Sequence, residues 1–550
     1  MAGRGSAIDA VASGSRGKRM RRLGQPARLA AAGRPGWPLV AVAVAAIALA
    51  FAGTARAEPT AQTQDGRITG IAAEGMREFL GIRYAAPPVG PLRWQPPQPV
   101  PADLATKAAT AFASHCPQLA SPYGVASTSE DCLFLNVYTP DRKPRRAEAG
   151  LPVMVWIHGG ALVVGESDGY DPIKLVTDGD VIVVTINYRL GYLGFLAEAG
   201  LDAEGHAAAN YGLLDQQFAL DWVRRNIAGF GGNPENVTIF GESAGGLSVL
   251  SNLASPTAHG LFNKAIVESG AYALELPSLA DAETGGNAFA AAVGCSTGDA
   301  ACLRQIPVEQ ILQQEAVPGL SIKTIVDGTV LPLSIDAALP KGRFNRVPVM
   351  NGSNHDEYRL FTTASANLTA EAYPATLDGI YGDTLGTAVA AEYPVGNYAQ
   401  PVLALAAAVT DQVFACTAKQ VDRWTSRFVP TYAYEFADPN APEDFLPPAG
   451  YPFGAAHASE IQYLFTIAKL PGTPALTPAQ QQLSSEMVAY WTSFARNGSP
   501  NGEAAPDWAP YARGDRATQS LVPPHSMRET NFSADHHCRF WRPVINPPPS

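Results

Sequence analysis

Short runs of apolar, β-branched residues recur along the chain, each bounded by Gly, Pro, Asn or Asp. They fall at residues 153–157, 181–186, 237–240, 264–267 and 347–350. Runs that are apolar at every position suit strands buried on both faces of a mostly parallel sheet. Residues 211–227 place apolar side chains at near-helical spacing, which predicts a helix. Alternating strands and helices predict an α/β architecture, with a large, mostly parallel central sheet flanked by helices.

Two long stretches interrupt this pattern. Residues 271–345 and 365–450 are richer in Ala, Pro and acidic residues, and their strand signal is weaker. We expect helical and loop insertions there, near the active site. Asn233-Pro234-Glu235 predicts a turn before the strand at 237–240. No clear linker separates independent units, so residues 58–550 are expected to form a single domain.

Residues 1–57 have the features of a leader. A basic stretch precedes an apolar run at 38–52 and the small-x-small sequence Ala55-Arg56-Ala57. This order predicts a signal peptide that is cleaved after Ala57, and a secreted or periplasmic protein. Met20 is an alternative first residue of the protein. The alternative interpretation of this segment is an N-terminal membrane anchor that is not cleaved. Arg21-Arg22 only weakly resembles a twin-arginine signal, so the export route stays open.

The charge balance argues against one class of partner. The chain has 50 Asp and Glu against 39 Lys and Arg, a net charge of −11, although its leader is basic. An acidic protein repels phosphate backbones, so we expect no nucleic-acid partner. Without the leader, no basic run is left to hold the chain on an anionic membrane, and no stable membrane association is expected. The oligomeric state is left open.

All six cysteines follow the leader, which agrees with export to a compartment that permits disulfides. Sequence neighbours suggest the pairs Cys116–Cys132 and Cys295–Cys302, leaving Cys416–Cys538, although six cysteines allow 15 pairings. A metal site is the competing interpretation. The chain has no CxxC pair and no HExxH motif. Adjacent side chains on a strand point to opposite faces, so His536-His537-Cys538 has poor ligand geometry, and we expect no metal and no other cofactor.

The segment from Gly241 to Gly245 carries the strongest catalytic signal. The predicted strand at 237–240 runs into Gly241-Glu-Ser243-Ala-Gly245, and a helical pattern follows. This strand–turn–helix context is what a GxSxG nucleophile elbow requires, and its tight turn needs small neighbours. The following helix points N–H groups and its positive dipole at the reacting centre. Ser243 is therefore the predicted nucleophile.

A serine hydroxyl needs a base close by, which is itself oriented by a carboxylate. In the order Ser, acid, His, both partners follow Ser243. Asp356 and Glu357 both qualify as the acid, because they lie just past the predicted strand at 347–350, at the edge where such sites form. The histidines after the serine are His259, His355, His457, His525, His536 and His537. His259 follows the serine too closely and precedes each candidate acid, and His355 lies near the end of a strand pattern, whereas His457 lies in a predicted loop before an amphipathic run.

A second glycine-containing turn follows the predicted strand at 153–157. Its sequence, Trp156-Ile-His-Gly-Gly-Ala-Leu162, has small residues whose backbone N–H groups can face a developing oxyanion. A plain turn after a strand is the alternative interpretation.

Together these segments resemble the type-B carboxylesterase family, relatives of the cholinesterases, from about residue 65 to residue 542. The leader and the Ala-rich composition favour a bacterial, exported member. The resemblance implies an α/β-hydrolase fold and a serine hydrolase that cleaves carboxylic esters through an acyl-enzyme. The matching segments are Gly81-Ile-Arg-Tyr-Ala-Ala-Pro-Pro-Val-Gly-Pro-Leu-Arg93, Glu130-Asp-Cys-Leu-Phe-Leu-Asn-Val-Tyr138, Asn187-Tyr-Arg-Leu-Gly191, Asn210-Tyr-Gly-Leu-Leu-Asp-Gln216 and Gly241–Gly246.

The resemblance also implies roles for single residues. The family's HxxEI segment falls on His457 as the catalytic base, and its GxNxDEG-like segment places the acid at Glu357, next to Asp356. The six cysteines fall where the family has three disulfides, which supports the pairs above. A buried ion pair is implied between Arg93 and Glu130. The implied oxyanion donors are the backbone N–H groups of Gly160, Ala161 and Ala244.

Departures from the family pattern bear on the substrate. Ala161 stands where a third Gly is common, Leu162 where Phe is common, and Tyr358 where Gly follows the acid. The 116–132 loop lacks the Trp with which cholinesterases hold a quaternary ammonium, so choline esters are not expected as substrates. Candidate pocket residues are Leu162, Tyr123, Tyr358 and the 365–450 region.

The leading hypothesis is a carboxylic ester hydrolase that acts on a small-molecule ester without a cofactor. The alternative within the same chemistry is a lipase or polyester hydrolase acting on long-chain or interfacial esters. The alternative outside it is a non-catalytic, cholinesterase-like binding protein, and the presence of Ser243, Glu357 and His457 argues against it. The natural ester and the acyl-chain preference are left open.

Overall fold

A wide β-sheet forms the centre of the molecule. The computed structural model describes residues 58–101, 103, 105–142, 150–316, 321–512 and 516–546, and the predicted signal peptide at 1–57 lies outside them. Within these residues eleven strands form the main sheet and three short strands form a second one. The described residues from Glu58 onward make up one compact unit.

The main sheet has the order β14-β13-β12-β11-β10-β9-β7-β8-β6-β4-β3, and β1, β2 and β5 form the small sheet. The run from β13 to β8 is parallel throughout, whereas the strands at both edges pair antiparallel. The predicted mostly parallel sheet is therefore confirmed. The strands are β1 (Thr60–Thr63), β2 (Gly66–Thr69), β3 (Ile71–Ala72), β4 (Met76–Arg83), β5 (Lys107–Ala108), β6 (Phe134–Pro140), β7 (Leu151–Ile157), β8 (Ile182–Ile186), β9 (Gly232–Glu242), β10 (Lys264–Glu268), β11 (Val349–Asn354), β12 (Thr431–Phe436), β13 (Thr518–Leu521) and β14 (Met527–Glu529).

Strand β7 shows why the apolar runs become central strands. Each of its seven residues is buried. Val153 and Val155 pack into one large apolar cluster, whereas Met154 and Trp156 pack into another. Because successive side chains point to opposite faces, the two clusters lie on the two sides of the sheet. Both faces are therefore covered, as in other parallel sheets.

Two local predictions along the strands are wrong. Strand β11 continues past residue 350 to Asn354, because the polar side chains there are satisfied inside the protein. Asn351 and Asn354 are fully buried, and their amides donate hydrogen bonds to buried carboxylates. The turn predicted at residues 233–235 lies within β9, where the register against β7 is irregular.

Helices cover the sheet, and the helix predicted at 211–227 is present as α4. The helices are α1 (Ile173–Thr177), α2 (Gly191–Phe195), α3 (Ala199–Asp202), α4 (Tyr211–Asn226), α5 (Ala244–Ala254), α6 (Leu279–Ala292), α7 (Ala300–Leu303), α8 (Val308–Glu315), α9 (Ile335–Ala338), α10 (Tyr373–Tyr381), α11 (Asp383–Glu392), α12 (Pro401–Thr410), α13 (Cys416–Thr425), α14 (Ile461–Leu464), α15 (Pro478–Asn497), α16 (Phe532–Asp535) and α17 (Cys538–Ile545).

The two predicted insertions are largely helical. Residues 271–345 contain α6 to α9, and residues 365–450 contain α10 to α13. The second stretch also contains strand β12, which pairs in parallel with β11 and β13, so its description as helices and loops alone is wrong. All six residues of β12, TYAYEF, are buried. Its Thr and Glu break the apolar run by which the other strands were predicted.

Covalent and ionic links tie distant segments together. The disulfides are Cys116–Cys132, Cys295–Cys302 and Cys416–Cys538, the same pairs as expected. The guanidinium of Arg93 donates to both carboxylate oxygens of Glu130, at 2.6 and 2.5 Å. A second bidentate pair, Arg189–Asp215, is more deeply buried, with side chains only 3% and 0% exposed.

One helical stretch in the described part of the chain is long and apolar enough to cross a membrane. It spans Pro401–Thr425, and 78% of its apolar window is buried inside the fold. A core helix of a globular protein is likewise buried on most of its sides.

Candidate active site

Ser243 lies at a sharp turn between β9 and α5, with backbone φ of +56° and ψ of −121°. A positive φ is unfavourable for a residue with a Cβ, so its surroundings must impose it. The Ser243 N–H donates to the Glu268 carbonyl at 2.9 Å, and the Ser243 carbonyl accepts from Leu247 at 2.8 Å. A Cβ at Gly245 would lie 1.9 Å from the Ile157 carbonyl oxygen, so this position requires glycine. The turn has the geometry of a nucleophile elbow.

The two candidate acids have different partners. Glu357 is fully buried, its Oε2 lies 2.5 Å from Nδ1 of His457, and its Oε1 accepts the Asn354 N–H at 2.8 Å. Asp356 instead pairs with the Arg359 guanidinium at 2.7 Å. Geometry therefore places Glu357, and not its neighbour, against the histidine.

His457 lies in the loop before α14 and is 4% exposed. Its backbone N–H donates to the Glu357 carbonyl at 3.2 Å, and its Nε2 lies 3.1 Å from Oε1 of Glu242, the residue before Ser243. Burial lowers the pKa of His457, but the carboxylates of Glu242 and Glu357 raise that pKa more strongly, to about 9. Burial raises the pKa of Glu242 well above its usual range, so the charges of Glu242 and His457 depend on each other.

The turn after β7 lies beside the nucleophile. Gly160 has φ of +95°, and a Cβ there would lie 2.1 Å from the Val164 carbonyl oxygen. Gly160 and Ala161 line the same cavity as Ser243. Ala244 is the first residue of α5, and the first N–H groups of a helix have no partner within the helix. The three predicted oxyanion donors are thus on the two elements that meet at Ser243.

A cavity of about 160 Å³ opens over Ser243 and His457. Its wall is mostly apolar, and its aromatic members are Tyr123, Tyr170, Phe361 and Phe445. Of the predicted pocket residues, Tyr123 and a member of the 365–450 region line it. Leu162 does not, because its side chain is fully buried in the core, and Tyr358 packs beside Phe361 instead. The other aromatic residues come from separate segments that share no sequence pattern.

Three buried glutamates around Ser243 and His457 were not predicted as site residues. Burial raises the pKa of Glu268 to about 8 and that of Glu460 to about 7. The Trp491 indole donates to Oε1 of Glu268 at 2.9 Å, and the Asn354 amide donates to Oε2 of Glu460 at 2.5 Å. Glu242 is the third. Two of the three lie inside the motifs that marked the site, in GESAG and HASEI, which is the signal that could have found them.

Comparison with known proteins decides the family. Residues 57–541 match the model of the carboxylesterase family. The chain belongs to the carboxylesterase family. It is 35% identical to human cocaine esterase over 528 residues, which cover 89% of this chain and 92% of that protein. It is 36% identical to para-nitrobenzyl esterase of Bacillus subtilis, over 84% of this chain and 94% of that one.

Solved structures agree with this assignment. A thermophilic PNB esterase superposes with a TM-score of 0.75 at 33% identity, covering 88% of this chain and all of that one. The α/β-hydrolase fold implied by the sequence is therefore confirmed. This carboxylesterase family member is a carboxylic ester hydrolase.

Proposed function

We propose that Ser243, His457 and Glu357 form the catalytic triad of this ester hydrolase. The observation that carries the proposal is the setting of His457, whose Nδ1 contacts Glu357 at 2.5 Å while its ring lines the same cavity as Ser243. A carboxylate at Nδ1 fixes the tautomer in which Nε2 has a free lone pair. In the neutral form of His457, that nitrogen can accept the serine proton.

The reaction runs in two halves. Ser243 Oγ attacks the ester carbonyl carbon while Nε2 of His457 takes the hydroxyl proton. The bond to the alcohol oxygen breaks, and the imidazolium returns the proton to that oxygen. Water then attacks the acyl-enzyme by the same route, which releases the carboxylic acid and restores the serine.

Charge develops at two places in the transition state. The backbone N–H groups of Gly160, Ala161 and Ala244 stabilise the oxyanion, and the α5 dipole adds to their effect. One such donor typically contributes about 10²–10³ in rate. Glu242, 3.1 Å from Nε2, stabilises the imidazolium together with Glu357.

The size of the cavity indicates the substrate class. A cavity of about 150 Å³ accommodates one benzene ring, and this one measures about 160 Å³ with four aromatic side chains in its wall. We expect a group of that size beside the reacting carbonyl, such as a short acyl chain or a phenyl ring. Relatives named cocaine esterase and para-nitrobenzyl esterase support small aromatic esters as candidates.

Export is part of the proposal. A basic stretch, an apolar run and a small-x-small site precede residue 58, and the described part of the chain has three disulfides and no free cysteine. Disulfides persist in secreted and periplasmic compartments. We therefore propose a soluble, exported esterase that binds no nucleic acid.

Hydrolysis of p-nitrophenyl esters from acetate to palmitate tests the proposal. We expect kcat/KM to fall once the acyl chain exceeds about six carbons, which is roughly the number of carbons that fills the cavity. Ser243→Ala, folded as judged by circular dichroism, should lose at least about 10⁴ in kcat. A maximum at palmitate would favour the lipase alternative. Activity retained in Ser243→Ala would contradict the assigned nucleophile.

A further inference from the structure

A cluster of histidines and carboxylates lies where the C-terminal segment meets the carboxyl ends of β11 and β12. A nitrogen of His355, a nitrogen of His536 and an oxygen of Glu435 all lie within 4.8 Å of one another. His536 and Glu435 are each 2% exposed, and Nε2 of His536 contacts Oε1 of Glu435. Two imidazoles and one carboxylate form a ligand set that transition-metal ions prefer.

The second nitrogen of each histidine is already held by a carboxylate. Nδ1 of His536 lies 2.6 Å from Asp411, and Nδ1 of His355 lies 3.1 Å from Asp356, while Nε2 of His355 faces Asp535 at 3.5 Å. Metal-binding histidines typically donate their other N–H to a carboxylate in this way, which fixes the tautomer and aims Nε2 at the metal. Asp411 is itself fixed, because Tyr393 donates to it at 2.7 Å.

The cluster has more negative than positive charge. Glu435, Asp411 and Asp535 contact its two histidines, and Glu529 interacts with Glu435. Oε2 of Glu529 is buried and has no hydrogen-bond partner among the described residues. A buried carboxylate without a hydrogen-bond partner is costly unless it takes up a proton or a cation neutralises it. A divalent ion would offset two of these negative charges and would give Glu529 a partner.

We propose that His355, Glu435 and His536 bind a divalent transition-metal ion, with Zn²⁺ as the expected ion, and that Glu529 completes the site. The ion is structural, since none of these residues lines the cavity over Ser243. It fastens the C-terminal segment to the ends of β11 and β12. The side chain of His355 is 41% exposed, which gives the ion an entry path from solvent.

The sequence pattern argued against a metal here because neighbours on a strand cannot share one ion. Its premise is wrong, because His536 and His537 lie in the turn between α16 and α17 and not on a strand. His537 nevertheless stays out of the cluster, since it pairs with Glu392 at 2.6 Å. The co-ligands of His536 come from residues about 100 and 180 positions earlier in the chain. Spacing within a short motif cannot show a site assembled from three distant segments.

Zinc binding to the purified, disulfide-bonded protein tests the proposal. The protein is stripped with a chelator, dialysed, and titrated with Zn²⁺ by calorimetry, and its metal content is measured by mass spectrometry. We expect one zinc per chain and a melting temperature that rises with zinc concentration. His536→Gln and His355→Gln should each weaken binding by more than about 100-fold, since loss of a second-shell partner alone costs up to that much.

Two controls make the result specific. His537→Gln changes the adjacent histidine outside the cluster, and should bind zinc like the parent protein. His115→Gln changes another group of potential ligands, His115 with Glu166 and Asp168, and should also leave binding intact. Because His355 is partly exposed, its variant is expected to fold even if the variant of buried His536 does not. The absence of zinc binding at micromolar concentration, or binding lost with His115 or His537 instead, would overturn the proposal.

Discussion

Replacing Glu357 with Gln tests the central contact of the proposed triad. The carboxylate lies 2.5 Å from Nδ1 of His457, and its other oxygen accepts the Asn354 N–H. Glutamine keeps the shape and volume of the side chain but removes its charge. The amide can also place an NH₂ group against Nδ1, which favours the wrong histidine tautomer. We expect a folded protein with very low kcat and little change in KM.

The size of the loss follows from the geometry. A unit positive charge on the imidazolium, 2.5 Å from a carboxylate oxygen, interacts with it by about 7 kcal/mol at an effective dielectric constant of roughly 20. Each tenfold in rate corresponds to about 1.4 kcal/mol, so this contact can supply at most about five powers of ten. Replacing the acid of a serine protease triad by its amide costs about 10⁴ in kcat. We therefore expect a loss of about 10³–10⁴.

The assay is kcat for p-nitrophenyl butyrate at mildly alkaline pH, with folding checked by circular dichroism and melting temperature. Asp356→Asn is the matched control, because sequence alone left both carboxylates open and Asp356 pairs with Arg359 instead of His457. This variant should keep kcat within about tenfold. A Glu357→Gln enzyme with more than a tenth of the parent activity, or an equal loss in Asp356→Asn, would refute the triad assignment.

Three further outcomes follow from the structure. The catalytic base must be neutral, and the pKa of His457 is raised to about 9, so kcat/KM should increase with pH through an alkaline pKa. A pH profile of kcat/KM that increases around pH 6.5 instead would contradict this. Asp215→Ala leaves the buried Arg189 without its carboxylate and should lower the free energy of unfolding, measured by denaturant melts, by about 3–5 kcal/mol. Asp221→Ala, in the exposed pair on the same helix, should lower it by at most about 0.5 kcal/mol, and equal effects would contradict the burial argument. Replacing both Cys416 and Cys538 by Ala opens a 122-residue loop and should lower the free energy of unfolding by about 4–5 kcal/mol. Below the unfolding transition kcat should be unchanged. An unchanged unfolding midpoint would contradict this expectation.

The central strands could be predicted because burial on both faces leaves a continuous apolar signature. Strand β7, with every residue buried, is the clearest case. Strand β12 is just as buried, but Thr431 and Glu435 interrupt its pattern. Strand β11 extends to Asn354 for a related reason, since buried amides there find carboxylate partners that no local pattern reveals. Polar residues that are satisfied by distant partners are therefore the main limit on predicting strands from this sequence.

The candidate site also has parts that could be predicted from the sequence and parts that could not. The sharp turn at Ser243 was predictable because it is local, with a strand, a turn and a helix that are consecutive in the chain. The choice between Asp356 and Glu357 depends on which carboxylate faces His457, about 100 residues later, and physical reasoning alone left it open until the family resemblance was considered. Aromatic cavity residues such as Phe361 and Phe445 lie on loops whose approach to Ser243 depends on tertiary packing, so no spacing pattern identifies them.

The turn after β7, which carries two of the proposed oxyanion donors, departs from the family pattern at Ala161, where Gly is common, and at Leu162, where Phe is common. Ala161 and Leu162 have φ of +55° and +62°, a conformation that costs non-glycine residues about 1 kcal/mol or more each. The surroundings offset this cost, because the Leu162 side chain is fully buried and its carbonyl accepts the Gly191 N–H at 2.7 Å. The turn is thus held in place before substrate arrives. Donors fixed in this way need no rearrangement when the oxyanion forms, which is the condition under which they lower the barrier most.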